Sequence, residues 1–124
     1  MAPKVGKKIL VVEDDEDFSS ILKMKFEVSG FSVALAKDGE SAVEAALQEK
    51  PDLILSDILL PKMNGIEMAK KIKEQDKNVF IVFLTNLTDL SYVQEVKKLG
   101  FDYWVKSELS ISDIAEKIRA KLGV

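Results

Sequence analysis

"LILSDILLPKMNG", Leu53 to Gly65, runs through successive apolar positions and then meets a bare carboxylate, Asp57. A strand with water on one face alternates apolar and polar residues; a strand covered on both faces does not. The first residues of this stretch therefore read as a strand inside a layered sheet. Burying an ionised carboxylate without a partner is costly. Asp57 must then stand at the edge of the core, or have something near it to neutralise it.

Other short apolar runs share this character. "KILVV" (Lys8 to Val12), "FSVALA" (Phe31 to Ala36), "DLILS" (Asp52 to Ser56), "VFIVFL" (Val79 to Leu84) and "YWV" (Tyr103 to Val105) read as strands. Helical stripes lie between them. Phe18, Ile21, Leu22 and Phe26 fall on one face, as do Ala42, Val43, Ala46 and Leu47. Ile66, Ala69 and Ile72 make a third stripe, and Val93, Val96 and Leu99 a weaker fourth. Ile111, Ile114, Ala115, Ile118 and Leu122 make the cleanest. Gly30 and Gly100 stand where helices should stop, Asn64 with Glu67 resembles a capping box, and Ser110 can cap the last helix. Strand and helix alternate throughout, so right-handed crossovers give a doubly wound α/β fold with helices on both faces of a parallel sheet.

The 124 residues suit one unit, residues 1–124, with 1–7 as a flexible tail. Hydrophobic residues make up 47% and charged residues 31%, a globular balance. The net charge of -3 argues against nucleic-acid binding as a main activity. With no cysteine and no histidine, thiol catalysis, an imidazole base and a Cys/His zinc site are excluded. No apolar run approaches a membrane span and no signal-peptide core follows the basic start, so no membrane partner and a cytoplasmic location are expected.

In such folds the functional crevice lies beyond the carboxyl ends of the strands. Glu13, Asp14 and Asp15 follow the first strand, Asp57 the third, Thr85 the fourth and Lys106 the fifth. Glu13, Asp14 and Asp57 outnumber Lys106 in charge, and a divalent cation would balance them. Magnesium suits an all-oxygen site best. A carboxylate here can act as a nucleophile and form an aspartyl phosphate, with metal and lysine offsetting the phosphoryl charge. Taken singly, "EDDED" could be a solvated acidic turn and Lys106 a surface charge. Their joint placement at four strand ends favours a site.

The combination "LVVEDDED", "LSDILLPKMNG", "FLTN" and "YWVKS" resembles the receiver domain of two-component response regulators, close to the single-domain chemotaxis type, from about Lys8 to Leu122. The resemblance implies a five-stranded sheet of flavodoxin-like order 2-1-3-4-5 and a phosphorylation-controlled switch using Mg2+. It implies Asp57 as phosphoacceptor, Asp14 as a direct metal ligand, Glu13 acting through water, and the Leu59 backbone carbonyl completing the ligands. Lys106, Thr85 and the Asn86 backbone would contact the phosphoryl group, and Thr85 and Tyr103 would form the switch. Pro61 and Gly65 match the loop after the phosphoacceptor. Leu59 and Leu87 would flank the attacking water and, being apolar, slow dephosphorylation. The implied partners are a histidine kinase or phosphotransfer protein upstream, and a downstream protein or the protein's own effector domain. A dimer through the fourth helix, fifth strand and fifth helix is also implied.

The chain would not be an enzyme toward other molecules, although it would catalyse its own phosphorylation and slow dephosphorylation. The alternatives are a pseudo-receiver that binds a partner unphosphorylated, or a magnesium-dependent aspartyl-phosphate phosphatase. The sequence departs from the family pattern in three places. Ser107 follows the lysine where proline is usual, leaving the isomer of the Lys106–Ser107 bond open. Asn86 follows the threonine where a small residue is usual, and could restrict access of a phosphodonor. Gly100 to Lys106 is one residue shorter than the common pattern.

Overall fold

The computed structural model describes residues 4–86 and 90–124, with no description of the Leu90 side chain. The strands are β1 (Lys8–Val12), β2 (Ser32–Ala36), β3 (Leu53–Ser56), β4 (Phe80–Thr85) and β5 (Asp102–Val105). The helices are α1 (Glu16–Val28), α2 (Gly39–Glu49), α3 (Gly65–Gln75), α4 (Leu90–Lys98) and α5 (Ile111–Leu122). A short 3-10 turn, Lys106–Glu108, precedes α5. The five strands form one parallel sheet in the order β2-β1-β3-β4-β5, the expected flavodoxin-like arrangement.

The apolar runs are continuous because each strand feeds two cores. Side chains alternate between faces of a strand. Leu10, Val12, Ile54, Ile81 and Phe83 point to one face, where Ala42 of α2, Met68 and Ile72 of α3 and Val96 of α4 cover them. Ile9, Val11, Leu53, Leu55, Val82 and Leu84 point to the other, under Leu22 and Phe26 of α1 and Ile114 and Ile118 of α5. Each such fully buried aliphatic side chain contributes about 1.5–3 kcal/mol. Tyr103 and Trp104 split the same way, the first against the α2–α3–α4 layer and the second against α1 and α5.

Three stripe positions differ from expectation. Ile21 and Leu47 are about half exposed, at 48% and 52%, and Leu99 lies past the end of α4. Leu22 and Phe26 are the buried apolar residues of α1. Ile21 is one residue, about 100°, around the helix from Leu22, and this turns it outward. In α4 Val96 is buried, and Leu99 accordingly adds nothing to that helix's inner face.

The helix ends follow capping chemistry. Asn64 Oδ1 accepts from Glu67 N at 2.9 Å, and the reciprocal capping box forms at Ser110 and Asp113. Gly30 and Gly100 take positive φ, 101° and 82°, just past α1 and α4. Of the stretch expected as a tail, residues 1–3 lie outside the described residues. Val5 donates its N–H to Gly30 O at 3.0 Å and packs on the α1–α5 core. No helix among the described residues is long and apolar enough to cross a membrane.

Candidate functional site at the carboxyl edge of the sheet

Strand register assembles the site. Val12 pairs with Ser56, so Glu13 and Asp57 leave their strands side by side, and Asp57 N donates to Val12 O at 3.3 Å. Thr85 pairs with Val105, which places Lys106 one residue past the end of β4. From there its ammonium reaches Glu13 Oε2 at 3.4 Å and Asp57 Oδ2 at 3.5 Å. The carboxylate that interrupts the buried run is therefore partly neutralised by a lysine delivered from the edge strand.

Glu13 is buried, and its carboxyl is held above the ordinary carboxylate range. Burial is the largest cause; Lys106 pulls it down and the charge of Asp57 pushes it up again. Lys106 also lies over the Phe18 ring, 4.5 Å from its centroid. Phe18 reads from the sequence as part of α1's apolar stripe; its second role, as a face for this cation, has only its nearness to the acidic turn as a signal. Asp15 touches this cluster only through its backbone, donating its N–H to Glu13 Oε1 at 3.4 Å, while its side chain caps α1, accepting from Asp17 N at 3.0 Å and Phe18 N at 3.2 Å. Asp14 is exposed.

Among the described residues, no three acidic side chains stand close enough to form a ready-made metal cage. Magnesium does not need one. It commonly takes one or two protein carboxylates and keeps several waters. Glu13 and Asp57, with Asp14 exposed next in the chain, share a single ammonium and so retain negative charge. That donor set fits a hard divalent cation.

The loop after Asp57 is held by two close approaches. Gly65 N donates to Ile58 O at 2.6 Å. A Cβ on Gly65 would fall far inside contact distance of Asp57 O and within 2.9 Å of Phe83 Cε1. A Cβ on Gly39, at the start of α2, would collide with the Met63 backbone in the same way. Sequence reasoning singles out Gly65 and passes over Gly39. Asp57 Oδ1 is fixed by Ile58 N at 2.7 Å, and Ser56 Oγ donates to Asp57 O at 2.8 Å. Asp38 is kept out of this cluster: it caps α2, accepting from Ser41 N at 2.7 Å.

On the other side, Thr85 is buried at the end of β4. Tyr103 stands opposite Phe83 in register, two residues before Val105, the partner of Thr85. Its hydroxyl is buried with no hydrogen-bond partner among the described residues. Burial, and secondarily the charge of Asp57, raises the phenol's pKa. Leu59 is exposed on the loop after Asp57, at 53%. Leu87 lies outside the described residues. No cis peptide bond occurs among the described residues, so Lys106–Ser107 is trans. Asn86 is exposed, and its side chain accepts from Ser107 N at 2.8 Å. The sequence shows both residues as departures but not that they meet.

A family model described as the response regulator receiver domain matches residues 9–119. The alkaline phosphatase synthesis transcriptional regulatory protein PhoP of Bacillus subtilis is 36% identical over 95% of this chain, which spans 49% of that protein. The sporulation initiation phosphotransferase F of the same organism is 30% identical, covering 95% of both chains. A two-component response regulator from Clostridium difficile superposes with a TM-score of 0.86 at 30% identity, covering 94% of this chain and 95% of that one. The chain thus spans about half the length of the first of these relatives and nearly all of the second.

Proposed function

Because the chain belongs to the response regulator receiver domain family, a family of signalling modules, we propose that it is a phosphorylation-controlled switch with Asp57 as the phosphoacceptor. The supporting observation is the convergence of Asp57, Glu13 and Lys106 at the carboxyl edge of the sheet, beside a buried threonine.

The donor is a histidine kinase or a phosphotransfer protein. An Asp57 oxygen attacks the phosphorus, the P–N bond of the phosphohistidine breaks, and the electron pair leaves with the imidazole, which takes up a proton. Ile58 N and Lys106 hold the attacking carboxylate in one orientation. Positioning of this kind removes much of the entropic part of a barrier. Lys106, the Thr85 hydroxyl and the Asn86 N–H then meet the phosphoryl oxygens. A magnesium ion held by Asp14, Asp57, the Leu59 carbonyl and, through water, Glu13 would offset charge on the transferring group.

Phosphorylation replaces the Asp57 carboxylate, of charge -1, with a group of charge near -2 and supplies new acceptor oxygens. Thr85 moves toward them, Tyr103 follows, and the surface of α4, β5 and α5 changes. A downstream protein, an effector domain on a longer chain, or a second copy reads that surface in the cytoplasm. Leu59 at the rim cannot orient water, and with Leu87 it keeps self-dephosphorylation slow.

Incubation with magnesium and a small phosphodonor, followed by intact-mass measurement, tests this reading. One stable added phosphoryl group in the wild type and none in Asp57→Asn is the expected result. An unmodified wild type would point to a pseudo-receiver, and steady donor turnover to a phosphatase.

A further inference from the structure

Lys106 opens a 3-10 turn whose start has no local cap. The first N–H groups of any helical turn lack partners within it and need an acceptor from elsewhere. Val105, in the capping position, has no side-chain oxygen and makes no capping bond. The acceptor comes instead from 21 residues earlier in the chain: Asn86 Oδ1 takes the Ser107 N–H at 2.8 Å. Asn86 directly follows Thr85, and Ser107 directly follows Lys106. The β4–β5 register ends at Thr85 and Val105. A side chain therefore continues the ladder one step beyond the backbone pairing.

We propose that Asn86 is a positioning residue that caps the Lys106 turn from β4 and couples the placement of Lys106 to that of Thr85. The proposal rests on the preceding reading, in which both residues meet the phosphoryl group. A displacement of Thr85 carries Asn86 with it, and the bond to Ser107 N passes that displacement to the turn holding Lys106. Ser107 serves through its N–H, which proline at that position would lack. The trans Lys106–Ser107 bond is the geometry in which this contact is made. Asn86 reaches sideways to the neighbouring turn, so its side chain is engaged rather than free to obstruct a phosphodonor.

Three readouts test the coupling: Ser107 amide exchange, the Lys106 Nζ 15N shift, and phosphorylation by a small phosphodonor with magnesium, titrated to separate donor binding from transfer. The first two use the unmodified, metal-free protein. In Asn86→Ala, Ser107 exchange should quicken about 2- to 10-fold, the range of one net hydrogen bond. The Lys106 resonance should shift, and the saturating transfer rate should fall by a similar factor. Asn86→Asp keeps the acceptor oxygen and should restore Ser107 protection. Ser107→Ala keeps the N–H and should match the wild type. Ser107→Pro should slow transfer as Asn86→Ala does, and the double variant should be no slower than either single one, because all three lack the same bond.

Faster phosphorylation of Asn86→Ala would overturn the proposal and make the side chain a gate. Unchanged Ser107 exchange or an unmoved Lys106 resonance would overturn it too. Should Ser107→Pro fail to fold, the Asn86→Ala and Asn86→Asp pair decides. A wild type that cannot be phosphorylated would reject the proposed function, while the two metal-free readouts would still decide whether Asn86 positions Lys106.

Discussion

On the flank of the site built from β1, β3 and α3, β3 is buried at every residue, and α3 buries Gly65, Ile66, Met68, Ala69 and Ile72. On the flank built from β5 and α4, each β5 residue is only half-buried, and Val96 is the buried residue among those of α4 that are described. The phosphoacceptor candidate sits on the first flank and the switch candidate Tyr103 on the second. Local opening costs least where few apolar contacts hold a segment. The contrast gives the molecule a fixed platform for charge chemistry and a looser surface able to respond to it. A switch needs an element with two accessible arrangements, and the second flank is where such an element can exist.

The contrast between the flanks should show most strongly in packing. Gly65→Ala forces a methyl group into the Asp57 carbonyl and the Phe83 ring. Overpacking of this kind should cost about 3 kcal/mol. Val96→Ala on the loose flank removes two methyl groups and should cost about 2 kcal/mol or less. Urea unfolding of both variants checks the order. If Gly65→Ala proves the cheaper change, the platform is less tightly fixed than its geometry implies.

Magnesium is the next largest effect. An ion that binds only the folded form stabilises it by about 2.7 kcal/mol at a hundred times its dissociation constant. The melting temperature of the wild type should rise accordingly, and far less in Asp14→Ala or Asp57→Asn. Amide exchange should slow in β1 and β3 and barely change in α4. Equal rises in all three proteins would reject the site, and uniform slowing would erase the distinction between flanks.

A smaller effect, opposite in sign to the two packing substitutions, belongs to the looser flank. The Tyr103 hydroxyl is buried without a partner among the described residues. A stranded polar group costs about 1–3 kcal/mol, part of which a ring on a half-buried strand can relieve by moving. Tyr103→Phe should therefore stabilise the unphosphorylated protein by about 1 kcal/mol. Thermal unfolding measures it. A loss of stability would mean that the hydroxyl has a partner and that the flank is less frustrated than it looks.

Much of this was legible from spacing. Continuous apolar runs announced strands with two covered faces, and strand order followed from a resemblance whose motifs all fall at strand ends. Register then had little freedom, since a one-residue slip would turn Val12, Ser56 and Asp57 to the wrong faces. What stayed hidden depends on side-chain direction. Nothing in "TN" and "KS" says that Asn86 turns toward Ser107 rather than over the site. Phe18 carries the same apolar signature whether it fills a core or supports an ammonium. Gly39 reads as an ordinary turn glycine until the Met63 backbone arrives beside it from a distant loop. Ile21 misled because a stripe drawn by hydrophobicity alone does not fix how wide the buried face is.

The smallest effect lies on the fixed flank and is diagnosed by its sign. Burial raises the pKa of Glu13 above its unfolded value of 4.5, so folding disfavours its ionised form. The resulting penalty is fully present above the raised folded-state pKa. It shrinks as pH falls through that value and vanishes once pH is below 4.5, where both states are protonated. Without metal, Glu13→Gln should thus be more stable than the wild type at neutral pH, and the two should converge in acid. Asp113 behaves oppositely. Its hydrogen bonds with Ser110 lower its pKa below 3.8, so it contributes stability that persists above 3.8 and is lost as pH falls through the folded value. Asp113→Asn should accordingly be less stable at neutral pH, with the gap closing only in stronger acid. Urea midpoints measured in chelator from about pH 3 to pH 8, spanning the ordinary carboxylate range, separate the two. Lys106 opposes the penalty at Glu13 but ranks behind burial among its causes. If Glu13→Gln is instead the less stable protein at neutral pH, the ion pair with Lys106 outweighs desolvation. The fixed flank would then be electrostatically content without a metal, and the strained charge balance that invites a divalent cation would be absent.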